Sequence, residues 1–201
     1  MSTIELLKDK HKNMVAYIVG TGPSIKYLTK EYFSDGIVIS LNHSIKKISK
    51  LNINNIVYSQ QKDGNYNGKR ICVYPDCYNC KYSVDPMGAI LLVHKYESIN
   101  CFENYEPRYV FSNPDLGLDV WQFSALSAIK IAQYMGCTKL VFVCFDSMNG
   151  DYTHFEKESK PQEINDRLMA NYKLQKDRQI SALKNIKHKY ITPTKNDLEN
   201  I

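Results

Sequence analysis

Met14–Ser24, MVAYIVGTGPS, is an apolar β-branched run that breaks at a Gly-Thr-Gly-Pro-Ser turn, with a helical pattern following. Val15, Tyr17 and Val19 alternate with Ala16 and Ile18, so both faces are apolar. That is the pattern of a parallel strand inside a sheet covered on both sides. Gly20 and Gly22 allow positive φ and close approach of a ligand, Pro23 has no N–H to lose at a helix start, and Ser24 can cap or bond an oxygen. The stretch predicts a strand, an anion-binding loop with free N–H groups, and the positive end of a helix dipole at the strand's carboxyl end. Phosphates bind there in open α/β sheets. Position 25 is Ile and no Gly-Lys-Ser/Thr follows, so neither standard dinucleotide nor P-loop spacing is met. A tight turn is the competing reading.

The rest of the chain repeats the unit. Ile25 to Phe33 reads as a short helix stopped by Ser34-Asp35-Gly36, and Ile37 to Leu41, IVISL, as a second buried strand. Asn42 falls just past its carboxyl end, on the same rim as the Gly-rich loop, where it either contacts a ribose or base or caps the helix carrying Ile45, Ile48 and Leu51. His43 beside it reads as a surface residue. Asn55 to Ser59 and Ile71 to Pro75 are further strands, with turn signals across Gln60 to Lys69. Residues 76–117, rich in Tyr, Asn and Pro, read as a loop-rich lid or insertion, from which His94 and Arg108 could reach an acidic ligand.

Trp121 to Asp146 is the second strong unit. Ser124 stands near a helix start; Ala125, Ala128, Ile129, Ala132 and Met135 keep helical spacing; Gly136 ends the helix. Leu140 to Phe145, LVFVCF, is then a doubly buried strand ending at Asp146, whose carboxylate either contacts a ligand or caps the next turn. Asp151-Tyr152-Thr153-His154 brings an imidazole toward the rim. His154 is the preferred general base, since an ordinary pKa near 6.5 suits proton transfer at neutral pH. Pro161 to Lys187 is a long amphipathic helix with Ile164, Leu168, Tyr172, Ile180, Leu183 and Ile186 on one side, and Tyr190 to Thr192 a short last strand.

Composition bounds the reading. With 201 residues, 43% hydrophobic and 23% charged, the chain makes one globular domain over 1–201. Its net charge of +5 is scattered, which fits an acidic small ligand and gives no nucleic-acid face. No apolar run approaches the roughly 20 residues of a membrane span, and a charged opening segment leads to a cytoplasmic expectation. Residues 1–13 form a helix or arm that can pack Ile4, Leu6 and Leu7 on an edge. The six cysteines include Cys72, Cys77 and Cys80 in C-x4-C-x2-C, with Cys101 further on, but no second C-x2-C. Free thiols are expected, without a metal or cluster. The expected fold is α/β: a single Rossmann-like domain, mostly parallel, with helices on both faces. A homo-oligomer is compatible with it.

Taken together, IVGTGPSI, SLNHS and QFSALSAIKIAQYMGCTKLVFVCFD resemble the bacterial sialyltransferases that build lipooligosaccharides. That pattern is an apolar strand, Gly-x-Gly-Pro-Ser-Leu, a strand ending in Asn, Ser-Gly near a helix start, an alanine-rich helix, Gly, and a strand ending Gly-x-Asp. The chain is also similar to the wider group of motility accessory factors and archaeal-type 6-hydroxymethylpterin diphosphokinases. Thr21, Ala125 and Cys144 depart from the family's Asn, Gly and Gly. The resemblance implies that Gly20, Thr21, Gly22, Pro23 and Ser24 hold the phosphate and sugar of a CMP-type nucleotide-sugar co-substrate, with Asn42 and Ser124 also contacting it. It implies a metal-independent, inverting transfer to a glycan or small-molecule acceptor, with His154 as base and Tyr152 stabilising the departing phosphate. On the diphosphokinase branch ATP and magnesium replace the sugar donor, and Asp146 is the metal-ligand candidate. A non-catalytic nucleotide-binding module is the third expectation.

Overall fold

Five-residue runs that are apolar on both faces dictate the centre of this protein, and each becomes a strand. The structure, a computed structural model, describes residues 2–61, 88–93, 108–111, 114–116, 118, 124–149 and 166–199. Among these, β1 (Ser2–Thr3), β2 (Val15–Val19), β3 (Ile37–Leu41), β4 (Ile56–Gln61), β5 (Ile90–Val93), β6 (Arg108–Val110), β7 (Lys139–Val143) and β8 (Lys187–Ile191) form one sheet in the order β1-β6-β5-β4-β3-β2-β7-β8. Every neighbouring pair is parallel. The α/β fold expected from the alternating pattern is therefore the fold observed.

Both faces are covered. Ala16 and Ile18 of β2, Ile37 and Ile39 of β3, and Leu140 and Phe142 of β7 pack on α2 (Ser124–Tyr134) and the end of α3 (Asp166–Leu183). The intervening Tyr17, Val19, Val38, Val141 and Val143 face Ile25, Leu28, Ile45 and Ile48 on the other side, the last two from α1 (Ile45–Ile48). A short helix, α4 (Asn196–Glu199), follows β8.

Several local expectations change. Ile25–Phe33 is not an α-helix: it is two 3-10 turns, Pro23–Tyr27 and Lys30–Tyr32, separated by extended Leu28 and Thr29. Tyr27, Thr29, Tyr32 and Phe33 are poor helix formers, and an i, i+3 turn already puts Ile25 and Leu28 on the core side. In the N-terminal arm Ile4 and Leu7 are buried, whereas Leu6 is exposed. On α3 the inward face carries Gln179 and Leu183, and Ile180 points out. Part of residues 76–117 belongs to the sheet, because Ile90–Val93 and Arg108–Val110 are strands extending it beyond β4. The expected strand Ile71–Pro75, and Cys72, Cys77, Cys80, His94 and Cys101, lie outside the described residues. Among the described residues no helix is long and apolar enough to cross a membrane.

Candidate functional site

Because the strands are parallel, their carboxyl ends share one rim, and the direction of winding reverses between β2 and β7. From β2 the chain proceeds outward through β3 to β6, while β7 and β8 lie on the other side. A crevice opens at such a switch point, and ligands of open α/β sheets bind there. Gly20–Ser24 leaves β2 on one side of it and Cys144–Asp146 leaves β7 on the other.

The two turns grip each other. Gly20 N–H donates to Val143 O at 2.8 Å, and Gly22 N–H donates to Cys144 O at 3.1 Å. Ser24 Oγ donates to Asp146 Oδ2 at 2.8 Å in a buried setting. Neither glycine is in the positive-φ region, Gly22 being extended at φ −67, ψ 160. Their lack of a side chain serves close approach instead. A Cβ on Gly20 would stand 2.6 Å from Cys144 O, and one on Gly22 would overlap the Asp146 carboxylate and lie 2.8 Å from Cys144 O. The expectation of free loop amides under a helix dipole is thus corrected: two amides bond to Val143 at the end of β7 and to Cys144 just past it, only a 3-10 turn follows, and a carboxylate of the chain sits against Gly22.

Asp146 is held at the rim, buried, with Ser24 as a partner. Cys144, at φ 61, carries a buried thiol whose pKa is pushed up to about 12 chiefly by desolvation. Of the residues singled out in the sequence, Gly20, Thr21, Gly22, Pro23, Ser24, Asn42, Ser124 and Asp146 all fall at the carboxyl ends of β2, β3 and β7 or at the head of α2. His154 and Tyr152 lie outside the described residues.

A second cluster forms beside the clasp, on the α2 side. Asn42, in the left-handed region at φ 50, donates from Nδ2 to Ser124 Oγ at a long 3.5 Å, bridging 82 positions of sequence. Gln60, the penultimate residue of β4 and paired with Leu41, donates from Nε2 to Ser124 O at 2.9 Å. Since that partner is a carbonyl, the nitrogen must face it, which fixes the amide's orientation. Gln60 Oε1 is buried without a hydrogen-bond partner among the described residues. Below, Ser44 Oγ lies 3.1 Å from Val19 O and 3.0 Å from Leu41 O, tying the turn after β3 to β2.

Gln60 escaped the sequence reading because it was grouped with the polar Gln60–Lys69 stretch. Its signal is the one that exposed Asn42, a carboxamide at the end of an apolar run. Tyr58 and Gln60 lie on one face of β4, so extending the strand by two residues would have found it. The arrangement offers carboxamide and hydroxyl groups on the carboxyl rim of β3 and β4, and a carboxylate at the β2–β7 switch point. Such a set can hydrogen-bond a nucleoside. In comparisons with known proteins, the chain matches no protein-family model, and no curated protein is significantly similar to it.

Proposed function

We propose that this chain is a nucleotide-sugar-dependent glycosyltransferase, sialyltransferase-like, taking a CMP-type donor at the β2–β7 crevice. The observation that carries the reading is the Asn42–Ser124 contact, with Gln60 bonded to the same serine, beside the Gly20–Ser24 turn. Three polar side chains, from the turn after β3, from β4 and from α2, converge on the carboxyl rim, the side of the sheet on which open α/β folds hold their ligands. The nucleoside rests on Asn42, Gln60 and Ser124, and the phosphate lies toward Gly20–Ser24. His154 takes the acceptor hydroxyl's proton as that oxygen attacks the anomeric carbon, and Tyr152 stabilises the departing phosphate. Configuration inverts, and no metal takes part.

Asp146 favours a second reading, a magnesium-dependent diphosphokinase of the 6-hydroxymethylpterin type, since a carboxylate at the crevice suits a hard cation carrying ATP. Thermal unfolding with CMP, CDP, UDP, GDP and ATP, each with and without magnesium, separates the two. Stabilisation by CMP without metal supports glycosyl transfer, and stabilisation only by ATP with magnesium supports the diphosphokinase. No response to any nucleotide overturns both. Once turnover is in hand, His154→Ala should abolish it and leave nucleotide binding intact; binding without turnover in the unmodified chain would instead make it a binding module.

A further inference from the structure

At the opposite end of the sheet, where β3, β4 and β5 begin, lies a cleft of about 730 Å3. A second, of about 430 Å3, adjoins it. Both are lined by Asn52, Ile53, Asn55 and Ile56, so they make one trough. The larger lies within the about 300–1,000 Å3 range of small-molecule clefts.

The trough's wall is built. The turn after the first 3-10 segments could hang loose at this end, but the Tyr17 hydroxyl reaches out from β2, 2.5 Å from Ser34 Oγ, and accepts from Ser34 N–H at 3.1 Å. From the other side Asn55 Nδ2 donates to the carbonyls of Ser34 and Gly36 at 2.7 and 3.1 Å. Phe33 packs edge-on against Tyr17, their ring centroids 5.3 Å apart. A wall already held by four hydrogen bonds needs little ordering when a ligand arrives.

The lining states the chemistry. Lys30 and Asp35 cancel in charge, so the trough has no net attraction for phosphate or carboxylate. Exposed Asn52 and Asn54 each present an amide donor beside a carbonyl acceptor, the pairing that vicinal hydroxyls require. Ile56, 44% exposed, and half-buried Phe33 add apolar surface for the C–H face of a ring. We propose that this trough is a second ligand site, taking a neutral, polyhydroxylated ligand of the linear oligosaccharide class. Two adjoining clefts suit more than one ring. The site is independent of the nucleotide reading of the carboxyl rim, and its test does not involve that rim.

The test is an NMR titration of the full 15N-labelled chain with maltotriose, chitotriose and lacto-N-tetraose, alongside CMP and a sulfated trisaccharide. A neutral sugar should give saturable shifts at the amides of Asn52, Asn54 and Asn55. Asn54→Ala should weaken that binding about fivefold, the loss of one ordinary hydrogen bond. Ile56→Asp should replace the apolar surface under the sugar ring with a charge and weaken binding about tenfold, with thermal unfolding showing that both variants fold; if either does not, the titration of the unmodified chain decides alone. No shift at these residues up to about 10 mM sugar, where even millimolar binding saturates, overturns the proposal. So does preference for the sulfated probe, or a response that Ile56→Asp leaves unchanged.

Discussion

At Gly22 the backbone is ordinary extended chain, and there is still no room for a side chain. The Asp146 carboxylate and the Cys144 carbonyl fill the space a methyl would take. Gly22→Ala should therefore cost about 1–3 kcal/mol, the range of overpacking at a tight site. The check is a urea midpoint; an unshifted midpoint would show that the β2 and β7 turns do not grip as described. The thiols make a second residue-scale prediction. Burial pushes both Cys137 and Cys144 up to about 12, so at neutral pH neither is a thiolate. Iodoacetamide should leave both unlabelled in the folded protein and label both in urea, as peptide mass spectrometry will show. At this scale the sequence exposed Asn42, Ser124 and Asp146, because each ends or begins an apolar element. It misjudged the glycines, whose reason is the approach of a turn 122 residues away and not their own dihedral angles.

Among the elements, α3 shows how burial overrides pattern. Gln179 is 1% exposed and its Oε1 has no hydrogen-bond partner among the described residues, while Ile180 is 55% exposed. A buried carboxamide oxygen left unsatisfied by the described residues is a standing penalty, so Gln179→Leu should raise stability by about 1 kcal/mol, read as an upward shift of the urea midpoint. A fall of that size would show instead that the carboxamide is well partnered. The periodicity of Pro161–Lys187 announced a helix, which the structure shows over Asp166–Leu183 with Lys187 already in β8 and 161–165 outside the described residues, but helical spacing constrains its inward face only to within a residue or so. The neighbour that decides it is far off in sequence. The stretch after Gly22 fails for a related reason: the apolar spacing of Ile25 and Leu28 satisfies a 3-10 turn as well as an α-helix.

On the scale of the whole molecule, the N-terminal arm ties separate parts together. His11, 3% exposed, places Nε2 2.7 Å from the Tyr58 hydroxyl in β4, and its backbone N–H donates to Met135 O beyond α2. Desolvation, and secondarily Lys10, lowers the His11 pKa from its ordinary 6.5, so folding holds the ring neutral. The unfolded chain then binds more protons between the lowered value and 6.5. Stability is fully present above 6.5 and is lost as pH falls through that window. Denaturation from about pH 7 to pH 5 should show this decline, and His11→Gln should flatten it relative to the unmodified chain. An identical slope in both would remove His11 from the account.

The sequence by itself determined the sheet and its covering. Runs such as VAYIV, IVISL and KLVFV are apolar on both faces, and only a parallel strand between two helical layers buries them. It also determined that Asn42 and Asp146 end their strands on one rim, since parallel strands share a direction. Tertiary structure alone decided that the Gly20–Ser24 turn bonds to β7, that Gln60 meets Ser124, and that Tyr17 and Asn55 clamp the turn at the far end. Each of these depends on a hydrogen bond or contact between residues 17 to 123 positions apart. Local propensity and periodicity carry no term for such a partner, and only the packed sheet brings it within reach.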